Sequence, residues 1–165
     1  MTDISVRMGE LAVSTDPGAV LVSIGLGSCI GLALVDAGSG IAGLAHIMLP
    51  GPGDAESRPP GTFADTAVPA LVDAVVAAGA RRMGLNAAIV GGAQMFGSAE
   101  RMQVGARNEE AVRAALCEAR LPVVAAETGG GAGRTIRVYV EDARVTSRAA
   151  GGNENVLLGG LAVPA

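Results

Sequence analysis

The chain has 165 residues, half of them hydrophobic, and a formal net charge of −4; a single domain of this length buries about two thirds of its unfolded surface without disulfide or metal staples. With no basic field and its arginines scattered along the chain, it is not built to hold nucleic acid. The first residues lack a signal-peptide layout and no run reaches about 18 uninterrupted apolar residues, so a cytosolic location is expected, in which Cys29 and Cys117 stay reduced. One Tyr, two Phe and no Trp require an aliphatic core, and 25 non-periodic glycines point to many tight turns within a folded α/β protein.

In chain order, Ala19–Ser23 and Ile30–Val35 read as short apolar strands joined by a turn that carries Gly25-Leu-Gly-Ser-Cys29. Ala37-Gly-Ser-Gly40 is a hairpin turn, and Ile41 to Met48 returns as a third strand. Antiparallel pairing across that turn brings His46, the only histidine, back towards Cys29. Pro50 to Gly61 holds four prolines and three glycines in twelve residues, the composition of a surface loop able to form one wall of a cleft.

Apolar residues at helical spacing, Val68, Leu71, Val72, Val75 and Val76, predict a helix over Ala64–Ala78 with Gly79 as its stop and Pro69 tolerated near its first turns. Leu85–Val90 reads as a strand entering Gly91-Gly-Ala-Gln-Met-Phe96. Asn108 then caps a second helix reaching about Ala119. Val123–Glu127, Thr135–Val140 and Arg144–Ser147 complete the strands, separated by the glycine-rich turn Thr128–Arg134. The expected architecture is a single α/β domain over residues 1–150, a layered sandwich of mixed β-sheets with flanking helices, and a loosely ordered tail over 151–165.

Few residues are equipped for chemistry. Cys29 follows glycines and a serine in a turn, where the backbone approaches a substrate closely and amides can face an oxyanion; it also fits a small buried hydrophobe at a strand start. His46 on an apolar strand is either a satisfied core histidine or the base that such a thiol needs. Cys117, in Ala114-Ala-Leu-Cys-Glu, reads as helix packing, and one histidine with two distant cysteines does not make a tetrahedral zinc site. The two glycine-rich turns lack the Gly-Lys-Ser/Thr ending of a phosphate loop. Arg107 and Arg134 follow glycine-bearing loops and are either carboxylate binders or solvated side chains.

An ordered set of motifs nevertheless runs through most of the chain: Gly-Leu-Gly-Ser-Cys29, Ala45-His46-Ile-Met-Leu-Pro50, Phe63-Ala-Asp-Thr-Ala67, Gly91-Gly-Ala-Gln-Met-Phe96, Gly105-Ala-Arg-Asn108 and Glu127-Thr-Gly-Gly130 with Gly133-Arg134. In these the chain resembles the chemoreceptor glutamine deamidase family, CheD. The resemblance implies a cysteine-hydrolase fold akin to deamidating toxins, with Cys29 as nucleophile and His46 as base. Gly27 and Ser28 would form the oxyanion turn. Where the family usually has threonine, six positions before the cysteine, this chain has Ser23, which would hydrogen-bond the second imidazole nitrogen. The implied activity is that of a protein-glutamine glutaminase, a chemotaxis hydrolase needing no cofactor or metal and acting on methyl-accepting chemoreceptor helices. The alternative is a regulatory binding module that engages a CheC-type phosphatase with weak or no hydrolysis.

Overall fold

The computed structural model describes residues 1–54, 59–94 and 103–159. Among the described residues, ten strands form two five-stranded sheets. The first has the order β1 (Thr2–Ser5), β3 (Ala19–Leu26), β8 (Arg134–Tyr139), β9 (Arg144–Ala149), β10 (Glu154–Leu158). The second has β2 (Leu11–Ser14), β5 (Ile41–Ile47), β4 (Ile30–Asp36), β6 (Asn86–Gly91), β7 (Val123–Thr128). Both are mixed, since β1 runs parallel to β3 and β6 parallel to β7 while the other pairs are antiparallel. Among the described residues, two α-helices, α1 (Ala64–Ala77) and α2 (Gln103–Glu118), complete the fold. Among the described residues no helix is long and apolar enough to cross a membrane.

Side-chain alternation along the strands builds two cores. On β4, Ile30, Leu32 and Leu34 join Val68, Leu71 and Val75 of α1 and Val112 and Leu116 of α2. The opposite face, with Ala33 and Val35 on β4 and Ala42 and Leu44 on β5, packs against Leu21, Ile136 and Val138 of the first sheet. The domain is therefore layered sheet, sheet, helices, with the expected flanking helices gathered on one side of the second sheet. Gly31 leaves no room for a side chain between the sheets, because a Cβ there would lie 2.9 Å from both Ile136 and Leu26.

The hairpin is realised, with Asp36 opposite Ile41 and Ile30 opposite Ile47. Several expectations need correction. Strands β1 and β2 were not expected; they place the amino-terminal segment on both sheets, so that residues 6–10 cross between them. Asn108 does not cap α2, which already runs from Gln103. Val76 is 41% exposed rather than part of the α1 core. The tail does not loosen at Gly151: that residue, at φ +76°, turns the chain, and Glu154–Leu158 pairs antiparallel with β9. Thr146 and Tyr139 both donate hydroxyl hydrogen bonds to the Glu154 carboxylate, which fixes the new edge strand. The middle of the proline loop (55–58), Met95 and Phe96, and the tail from 160 lie outside the described residues.

Candidate active site

His46 faces the space between the sheets. On β5 it shares a face with Ala42 and Leu44, and it lies directly opposite Gly31. Cys29, two residues before Gly31, packs against the same inter-sheet core. It stands in the bend just before β4, next to the Ile30–Ile47 pair that adjoins the Gly31–His46 pair. The hairpin brings the pair together, and the thiol makes no hydrogen bond to the ring in this resting arrangement.

The segment that crosses between the sheets clamps His46. Gly9 N–H donates to the His46 carbonyl and His46 N–H to the Glu10 carbonyl, both at 2.9 Å. The ring contacts Val6 through Nδ1, 3.2 Å from its carbonyl oxygen. A carbonyl only accepts, so Nδ1 carries the proton and Nε2 keeps its lone pair as the basic atom. Ser23, fully buried on β3, donates its hydroxyl to that same Val6 oxygen at 2.7 Å. The expected direct bond between Ser23 and the imidazole is therefore replaced by a shared acceptor, whose two lone pairs serve both donors.

The turn that carries Cys29 is held by its carbonyls. Ala93 N–H donates to Gly27 O at 2.8 Å and Gly92 N–H to Cys29 O at 2.9 Å, while the Asn108 side-chain amide donates to Ser28 O at 2.9 Å. The N–H groups of Gly27, Ser28 and Cys29 have no hydrogen-bond partner among the described residues, and all three residues are only half-buried. The glycine-rich loop 128–134 supports this assembly from behind: Gly129 N–H donates to Gly91 O and Gln94 N–H to Gly130 O. Arg134 donates to Gly129 O at 2.8 Å and forms an ion pair with Glu127 at 3.7 Å. Its guanidinium is thus engaged in the scaffold, while Arg107 on the surface of α2 donates one hydrogen bond to Gln103.

Burial sets the resting protonation of the pair. Desolvation pushes the Cys29 thiol above its ordinary pKa. For His46 desolvation is the larger influence and lowers the imidazole, against the opposing effects of the Val6 hydrogen bond and the Glu10 charge. Both directions favour a neutral thiol beside a neutral imidazole rather than a preformed thiolate–imidazolium pair. Cys117, expected to be shielded, is exposed. It lies one position past the buried stripe Gly105, Asn108, Val112, Leu116 of α2.

Beside His46 a cavity of about 380 Å³ opens to the surface, lined by Ser5, Val6, Arg7, Met8, Val22 and Ile24. Met8 and Ile24 are 62% and 70% exposed, and Ile24 is thrust outward where the β3–β8 register shifts between Ser23 and Leu26.

Fold and site together define a two-sheet α/β protein with one helical layer and a thiol and an imidazole on the same inter-sheet face. The family model described as CheD chemotactic sensory transduction matches residues 48–149. A probable chemoreceptor glutamine deamidase CheD of Symbiobacterium thermophilum is 45% identical over 158 residues, spanning 93% of this chain and 96% of that protein. The corresponding protein of Methanococcus vannielii is 42% identical over 152 residues, spanning 92% and 96%. The chemoreceptor glutamine deamidase CheD of Thermotoga maritima is 39% identical over 151 residues, spanning 92% and 94%. The chain belongs to the CheD family.

Proposed function

We propose that this protein hydrolyses the side-chain amide of glutamine residues in methyl-accepting chemoreceptors, in the cytoplasm, to give glutamate and ammonia, with Cys29 as nucleophile and His46 as base. The observation that carries this reading is the turn Gly27–Cys29, with its three carbonyls tied back and its three N–H groups unpartnered. It lies beside a thiol that shares a sheet face with the only histidine. The names of the relatives supply the substrate class.

In this mechanism Nε2 of His46 accepts the Cys29 proton as sulfur attacks the carboxamide carbon. The N–H groups of Gly27, Ser28 and Cys29 receive the developing oxyanion. The imidazolium returns the proton to the departing ammonia, leaving a thioester. Water, deprotonated by the same Nε2, then hydrolyses that thioester and frees the thiol. A glutamine turned into glutamate adds a negative charge to a receptor helix, which changes the electrostatics between packed helices. The apolar rim of Met8 and Ile24 beside His46 gives a helix presenting its glutamine a surface to rest on. The same rim is open to a second partner, a CheC-type phosphatase. Intact-mass analysis of a chemoreceptor cytoplasmic fragment incubated with the protein tests the reading, with ammonia measured in parallel. Amide-to-acid mass gains matched by ammonia are expected, and a fragment of unchanged mass refutes it.

Because the neutral imidazole is the active form and desolvation lowers its pKa, protonation removes activity only below the ordinary imidazole value of about 6.5. The acid limb of kcat/KM, which reports the free enzyme, is therefore expected below that value. A limb above it would mean that the ring is stabilised as imidazolium. Ser23 acts on the ring only through the Val6 carbonyl, so Ser23→Ala is expected to lower kcat/KM by less than about tenfold, the equivalent of one ordinary hydrogen bond. A loss as large as that of His46→Ala would require a direct role in the chemistry.

A further inference from the structure

Asn108 is a polar residue in the middle of α2, fully buried, on the stripe where Val112 and Leu116 pack. Asparagine is a weak helix former whose side chain usually bonds nearby backbone. Here it ignores its own helix. Both hydrogens of Nδ2 are donated to distant carbonyls: Ser28 O, next to the nucleophile, and Met48 O, two residues beyond His46, each at 2.9 Å. The carboxamide oxygen Oδ1 is buried with no hydrogen-bond partner, so the residue is retained at this depth with one of its polar atoms unsatisfied. Reversing the amide would set Oδ1 against two acceptors, which fixes the orientation.

We infer that Asn108 is a positioning residue for the proposed reaction, its single Nδ2 group binding the Cys29 turn and the end of the His46 strand to one point and so holding thiol and imidazole at their working separation. The inference rests on the Cys29/His46 reading of the site. Backbone amides of Gly92 and Ala93 secure the Cys29 turn to the neighbouring strand end, but Asn108 is the side chain among the described residues that bonds to both halves of the site at once. The close approach that this needs is provided by Gly105, one turn earlier on α2, where a Cβ would collide with the backbone of Gly92 and Ala93.

The test compares Asn108→Ala with Val112→Ala, a cavity-forming change one turn along the same buried stripe whose side chain makes no hydrogen bond to either carbonyl. Two readouts are taken for each: kcat and KM on a receptor fragment, and the rate of iodoacetamide labelling of Cys29 relative to the exposed Cys117 at one fixed pH. Asn108→Ala is expected to lower kcat about tenfold or more while KM stays within about twofold, and to raise the Cys29-to-Cys117 labelling ratio severalfold as the half-buried turn loosens. Val112→Ala should leave both near wild type. Unchanged kcat and labelling in Asn108→Ala, or equal changes in the two variants, overturn the inference while the deamidase reading stands. If wild-type protein converts no glutamine but the labelling ratio still separates the variants, the deamidase reading fails and the positioning of Cys29 stands. Should Asn108→Ala not fold, the side-chain amide protons of Asn108 in wild-type protein decide by NMR. Slow exchange of both supports the double tether, and fast exchange of either overturns it.

Discussion

Cys29→Ala is expected to abolish conversion of receptor glutamine, with kcat/KM falling at least about a thousandfold, while the thermal midpoint moves little. In the proposed mechanism the thiol sulfur bonds the carboxamide carbon, and removing a nucleophile leaves only binding and the oxyanion groups, a small remainder of the original acceleration. The fold should tolerate the change, because Cys29 is only half-buried and its turn is held by carbonyls rather than by its side chain. Cys117→Ala, on the exposed face of α2, should convert at the wild-type rate. Conversion by Cys29→Ala near the wild-type rate would remove the thiol from the mechanism.

The second large effect is expected at Gly91, which shows how the scaffold and the site depend on each other. Its φ of +116° is a conformation that L side chains rarely adopt, and a Cβ there would collide with the carbonyl oxygen of Cys29. Gly91→Ala therefore strains its own backbone and pushes on the peptide that carries the nucleophile. A cost of about 2–4 kcal/mol is expected, which for a domain of this size lowers the thermal midpoint by roughly 5–15 °C. Activity measured well below that midpoint should also fall, since the turn must move to relieve the clash. An unchanged midpoint would show that β6 accommodates a side chain there, against the packing described.

The residues to which we assign the chemistry were legible because their types are scarce: one histidine, and one cysteine set among glycines. The hairpin was legible because Ala37–Gly40 separates two apolar runs of roughly equal length, and it alone places His46 opposite Gly31. What holds the pair was harder to read. The meeting point of Ser23 and His46 is the carbonyl of Val6, and a backbone oxygen has no signature in residue types. The strands that bring Val6 there are four residues each, and β1 carries Thr2, Asp3 and Ser5 among its four, too short and too polar for an alternation signal. Asn108 resembled a helix cap because asparagine favours caps; carbonyls 60 and 80 residues away in sequence overrode that preference. Cys117 and β10 did leave signals. The buried spacing of α2 passes through Leu116 and excludes Cys117, and Gly151-Gly-Asn153 before Val156-Leu-Leu158 is a hairpin turn before a strand.

The central claim is that Cys29 and His46 act as one unit, and the most direct measurement is a double-mutant cycle on receptor-fragment conversion with Cys29→Ala, His46→Ala and the combined variant. Both tasks proposed for Nε2 of His46, taking the Cys29 proton and activating the water that hydrolyses the thioester, need the thiol, so the second substitution removes nothing that the first left in place. The account predicts that the combined variant is no slower than Cys29→Ala alone. Losses that multiply, so that the combined variant is slower by the product of the two single effects, would contradict it and assign the thiol and the imidazole to independent roles.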